Sequence, residues 1–123
     1  MAIKIPILKI DDVLIASIYV ALDDRSVMEF QHNVLERIAT DAAFGVVIDL
    51  SAVDLVDSFM ARSLNDIASG ARLLGANVAI VGLQPDIAWT LVEMGITIRD
   101  AITTLDLQTG IDRLRQRPRG QRS

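Results

Sequence analysis

The sequence predicts one α/β domain: an opening β-hairpin, then alternating helices and strands that build a mixed, mainly parallel sheet with helices packed against it. Three observations point there. Gly45–Leu50 and Val78–Val81 are short apolar runs without alternation, which suits interior strands covered on both faces. Segments around them carry apolar residues at helical spacing. The chain has 123 residues, 51% of them apolar, which is enough for a single real core and too apolar for disorder.

The elements follow in order. Ile3-Lys4-Ile5-Pro6-Ile7 alternates with the strand period, and Pro6, lacking an N–H, assigns it to a sheet edge. Asp11-Asp12 makes a turn, and Val13–Val20 is a second strand rich in β-branched residues. Asp23, Asp24 and Ser26 compete to cap the next helix, and Ser26 with Glu29 matches a capping box. Val27, Phe30, Val34 and Ile38 mark that helix's inner face, which ends near Ala42. After the strand at Gly45–Leu50, Met60, Leu64, Ile67, Ala71 and Leu74 form a helical stripe that Gly75 closes.

Beyond Val78–Val81, Pro85 opens a short helix and Gly95 ends it. Burial of Ala88, Leu91 and Val92 would place Trp89 on its flank, where half-buried core is the favoured reading and an anchor for a partner the alternative. Asp100–Thr103 is a last strand, and Thr103 or Thr104 caps a final helix carrying Leu105, Ile111 and Leu114, with Gly110 weakening it. The order is ββαβαβαβα, which requires right-handed crossovers. The domain spans 1–117, and Pro118 and Gly120 mark 118–123 as a mobile basic tail.

Composition narrows the function. Residues 1–112 carry a net charge of −9, and the five arginines from Arg113 to Arg122 carry +5. An acidic body is a poor nucleic-acid binder. No apolar run reaches membrane-spanning length, and the chain has no cysteine, so a cytoplasmic domain without thiol chemistry is expected. Gly70, Gly75, Gly82 and Gly95 form no phosphate-binding loop, and no cofactor is expected. His32 is the only histidine. With Glu29 and Glu36 it shares one helix face, which reads as solvated rather than metal-binding.

The richest stretch is Gly45-Val46-Val47-Ile48-Asp49-Leu50 running into Val56-Asp57-Ser58-Phe59-Met60. It sets a small hydroxyl at the start of a long helix, where backbone N–H groups and the helix dipole favour an anion. Ser58 is therefore a candidate phosphoacceptor, with Asp54 and Asp57 placed to repel the same phosphate. Asp57 or Ser58 also reads as the helix cap, and the two roles are compatible. Asp49, Asp54 and Asp57 gather beyond a strand's carboxyl end, where a Mg²⁺ site is conceivable. A receiver-like phosphoacceptor domain would use Asp11-Asp12 and Asp49. It would need a helix directly after the acidic pair and a lysine late in the chain, whereas Val13–Val20 reads as a strand and the only lysines are Lys4 and Lys9.

The chain resembles the STAS domains of bacterial anti-sigma-factor antagonists, and within them the stressosome branch. Gly45–Leu50, Val53-Asp54 and Asp57-Ser58-Phe59 resemble that family's central strand and phosphorylated loop. Ile5-Pro6-Ile7-Leu8-Lys9, Leu22-Asp23-Asp24, Leu73-Leu74-Gly75-Ala76, Gly82-Leu83-Gln84-Pro85 and Thr90–Ile96 extend the likeness over about residues 3–114. The resemblance implies a non-catalytic cytoplasmic scaffold subunit, forming homodimers and a large hetero-oligomer with an RsbR-type STAS paralogue. It further implies an RsbT-type serine kinase held until Ser58, flanked by Asp54, Asp57 and Phe59, is phosphorylated, and a serine phosphatase that resets the site. An antagonist acting directly on an anti-sigma kinase is the alternative within the family.

Overall fold

The structure, a computed structural model, describes residues 3–117; the tail expected at 118–123 lies outside them. Five strands pair in chain order: β1 (Ile7–Ile10), β2 (Val13–Ser17), β3 (Gly45–Asp49), β4 (Asn77–Val81) and β5 (Ala101–Thr104). β1 is antiparallel to β2, and every later pair is parallel. Helices α1 (Asp24–Asp41), α2 (Ser58–Leu73) and α3 (Pro85–Glu93) connect the parallel strands, and α4 (Leu107–Arg115) follows the last.

Right-handed crossovers that all step in one direction place their helices on one face. Leu14, Val46, Ile48, Val78 and Ile80 point to that face and meet Val34 and Ile38 of α1, Leu64 and Ile67 of α2, and Ile87 and Leu91 of α3. The alternate residues Val13, Val47, Ala79 and Val81 point to the other face and meet Leu114 of α4. Both central strands are therefore apolar at consecutive positions, as their sequences require.

The opening hairpin pairs later in the chain than its alternation suggests. Ile3–Pro6 is not strand, and pairing starts at Ile7, after the residue that has no N–H to give. Ile5 still packs into the core, and the Ile3 N–H donates to Ser26 Oγ at 2.8 Å. Strand β2 stops at Ser17 rather than Val20; Tyr19 and Val20 are exposed.

Caps decide the helix starts. Asp23, not Ser26, caps α1: its carboxylate accepts from the Ser26 N–H at 2.8 Å, and Ser26 is buried within the first turn. Asp106 caps α4 in place of Thr103 or Thr104, accepting from the N–H and hydroxyl of Thr109 at 2.8 and 3.0 Å. Those bonds, the N–H first, hold the Asp106 carboxyl below its ordinary value. At the end of α2, the N–H groups of Gly75 and Ala76 donate back to the carbonyls of Arg72 and Ala71.

Four burial expectations are corrected. Leu74 lies past the last turn of α2 and is exposed, while Met60, Leu64, Ile67 and Ala71 are buried as expected. In α3 the buried residues are Ile87 and Leu91; Val92 is exposed, and Trp89 is 64% exposed rather than half-buried. Leu105 precedes α4 and is exposed. Gly110 is no mere weak point: a Cβ there would stand 2.7 Å from Val81 Cγ2, so the glycine lets α4 sit close on the sheet.

Candidate functional site

Parallel strands end where the next helices begin, so the loops after β3 and β4 and the start of α2 meet at one end of the molecule. The loop from Leu50 to Asp57 is fastened from below. Leu50, Val53 and Val56 are buried, the Leu50 N–H donates to the Val81 carbonyl at 2.8 Å, and the Val53 N–H donates to the Leu50 carbonyl at 2.9 Å. Asp54 and Leu55, between the last two anchors, and Asp57 just after them are turned to solvent.

Ser58 is the first residue of α2 and is half-buried. Asp57 is the cap: its Oδ1 accepts from the Met60 N–H at 2.8 Å, and its carbonyl accepts from the Ala61 N–H. The Ser58 hydroxyl is thus not committed to capping. The first N–H groups of a helix have no intrahelical acceptor, and Asp57 engages that of Met60. Phe59, the next residue, is half-buried and packs against the core cluster that includes Val53, Val56 and Met60. It anchors the first turn beneath the serine.

The acidic residues expected nearby divide in role. Asp49 does not join Asp54 and Asp57; its carboxylate accepts from the Ser51 N–H at 2.9 Å and the Ser51 hydroxyl at 2.5 Å, closing the turn after β3. Asp54 and Asp57 line shallow depressions on either side of Leu55, the first shared with Asp86 and Thr90, the second with Leu22 and Met60. Among the described residues, no group of three or more histidine, aspartate or glutamate side chains could hold a metal ion. His32 Nε2 lies 3.4 Å from Glu36 on an exposed face of α1.

Two features of the site escape sequence reasoning. Gly82 has a φ of +76°, and a Cβ there would fall 2.1 Å from Ser51 Oγ, so the turns after β3 and β4 interlock only with glycine at this position. Gln84 Nε2 adds a bond to the Ser51 carbonyl at 3.1 Å. The other is Leu55, a large apolar side chain 68% exposed at the crest of the acidic loop. In the sequence Gly82 stands only in a family-like stretch before the helix start at Pro85, and nothing there signals the interlocked turns or the exposure of Leu55.

Further along, α2 is tied to the segment before β5. Asn65 donates to the Thr97 carbonyl at 2.6 Å and accepts from the Arg99 N–H at 3.1 Å. Asp100 accepts from Ser69 at 3.0 Å and pairs with Arg72. The helix that begins with Ser58 is thereby held to the sheet side by polar bonds as well as by its apolar face. Among the described residues, no helix is long and apolar enough to cross a membrane.

Comparison with known proteins agrees with this architecture. The chain is 42% identical to the S58E form of Moorella thermoacetica RsbS, with a TM-score of 0.81 over 92% of this chain and 96% of that one. It is 43% identical to a chain in a structure of the molecular architecture of the stressosome, with a TM-score of 0.77 over 90% of this chain and 96% of that one. It is also 31% identical to the RsbT co-antagonist protein RsbRA of Bacillus subtilis over 90 residues, which are 73% of this chain but only 33% of RsbRA. The STAS domain family matches residues 4–106, and the chain belongs to the STAS-domain family.

Proposed function

We propose that this chain is a non-catalytic, cytoplasmic scaffold subunit of a bacterial stressosome. In this reading it assembles with RsbR-type STAS paralogues and holds an RsbT-type serine kinase. Phosphorylation of Ser58 releases the kinase, and a serine phosphatase restores the site. The observation that carries the reading is the position of Ser58. It opens α2 beside a fastened acidic loop, with the capping duty taken by Asp57, in a chain more than 40% identical to RsbS over nine-tenths of its length. Asp54, Asp57 and Phe59 flank it: the carboxylates oppose an added phosphate, and the ring fixes the turn that presents the hydroxyl.

The test is incubation of the full chain with an RsbT-type kinase and ATP, followed by site mapping by mass spectrometry and a kinase-binding measurement. Modification at Ser58 with loss of kinase binding is the expected result. Modification at Ser26, Ser51 or Ser63 with Ser58 untouched would refute the site. Full modification at Ser58 with unchanged kinase affinity would refute the release mechanism.

A further inference from the structure

Helix α2 engages three of its outward polar side chains and leaves an arginine free. Asn65, Ser69 and Arg72 hold the segment from Thr97 to Asp100. Arg62 is exposed and lies one turn after Ser58 on the same helix. Among the described residues its guanidinium forms no ion pair and no hydrogen bond. Asp66, one turn further on, is exposed as well and does not pair with it. An arginine that precedes its carboxylate at this spacing is the weaker order for a helical ion pair.

We propose that Arg62 is the internal partner of a phosphate carried by Ser58, clasping it across one turn of α2. This rests on the reading of Ser58 as a phosphoacceptor and adds the residue that receives the group. Residues i and i+4 of a helix share a face, with Cβ atoms about 5–6 Å apart. Helical side chains lean toward the N-terminus, so a long one covers the turn before its own Cα. Arg62 therefore reaches back over Ser58, whereas Asp66 lies behind it. An anion at i with a cation at i+4 is also the favourable order. The guanidinium fork can meet two phosphate oxygens at once, which an ammonium group cannot match.

The surroundings leave this role to Arg62. Asp57 and Asp54 lie beside the serine, and Asp86 stands across the depression it shares with Asp54. A phosphate would add two negative charges to that group. Arg72 is held by Asp100 further down α2. Arg25 is exposed at the same end of the molecule, but it sits in the first turn of α1, off the face that carries Ser58. With the pair closed, the phosphate is held on the outer face of α2, and Arg62 is no longer open to a partner.

The experiment uses the full chain with phosphoserine placed at residue 58 during synthesis, so that no kinase is needed. Phosphorus NMR follows the phosphate against pH in the otherwise native chain and in Arg62→Gln, Arg62→Lys and Arg25→Gln. Arg62→Gln should move the second ionisation of the phosphate to higher pH by at least about 0.2 pH unit. Arg62→Lys should move it less. Arg25→Gln, which removes the same charge at the same end, should move it least. A second readout needs no variant: in nitrogen–proton spectra, the Arg62 Nε–H signal should shift when Ser58 carries the phosphate and should follow the same titration. An ionisation indifferent to Arg62→Gln, an equal displacement by Arg25→Gln, or an Arg62 signal unmoved by the phosphate would overturn the proposal. Failure of an RsbT-type kinase to modify Ser58 would instead overturn the phosphoacceptor reading, so the two failures are told apart.

Discussion

A phosphate on Ser58 would meet opposing influences within a single turn of helix. The first N–H groups of α2 and its dipole favour it by roughly 0.3–1 kcal/mol. The nearby Asp54 and Asp57 carboxylates oppose it, and the Asp57 side chain is already engaged with the Met60 N–H. Ser58→Ala should abolish modification and keep the kinase bound; Ser58→Asp should release it only in part, since a carboxylate has less charge and fewer acceptor oxygens. Asp57→Ala should cost about 1 kcal/mol in chemical denaturation through loss of the cap, with Asp57→Asn costing less. A cost near zero for the alanine variant would mean that the cap is not formed in solution. Asp106 offers a test by pH. Its carboxyl is held below its ordinary 3.8 by the N–H and hydroxyl of Thr109. Its contribution is therefore complete above about pH 3.8 and fades as pH falls through the lower folded value. Asp106→Asn should flatten that acid limb of the stability curve: the variant should be less stable than the native chain at neutral pH and converge with it at low pH, as denaturation of both across that range would show.

Elements were legible where one physical demand dominated. Strands β3 and β4 are covered on both faces, so their unbroken apolar runs admit one reading. Helix α2 declared itself through four turns of regular spacing, and Leu64→Ala or Ile67→Ala should each cost about 2–5 kcal/mol, read as a shift in denaturation midpoint. A loss below about half a kcal/mol for both would argue against that face as core. The first strand was misplaced because Ile3, Ile5 and Ile7 alternate for a reason other than pairing: Ile5 fills the core from an extended segment, and ladder bonds begin only after Pro6. Trp89 departs from the half-buried expectation because α3 is nine residues long and buries only Ile87 and Leu91, which leaves its large ring outside. The placement of Ser58 at the start of α2 is legible because an Asp-Ser pair precedes an apolar stripe. The turn role of Asp49 could not, since it depends on how β3 delivers its last side chain to Ser51.

Across the whole molecule, the helix starts gather carboxylates at one end. Asp23, Asp24, Asp57, Asp86 and Asp106 all lie at or beside helix starts, which in a parallel sheet share one end, and Asp54 joins them from the loop after β3. The arginines of α4, Arg113 and Arg115, lie toward the other end. The Ser58 end is therefore acidic before any modification, and a kinase drawn to it by long-range charge would present a basic surface. An added phosphate would then strengthen that attraction, the opposite of release. Under the proposed switch, release would then come from short range: a bulky dianion crowding Asp54 and Asp57 beside the exposed Leu55 would keep a kinase contact from closing. The two contributions separate by salt, because charges apart by more than the screening length of about 8 Å at physiological salt are largely uncoupled. Affinity of the unmodified chain for the kinase should fall as salt rises from about 0.05 to about 0.5 M. The ratio of affinities between unmodified and phosphorylated chains should persist across that range. Titration of both forms against the kinase at several salt concentrations measures it, and a ratio that collapses toward one at high salt would show that release works through long-range charge instead.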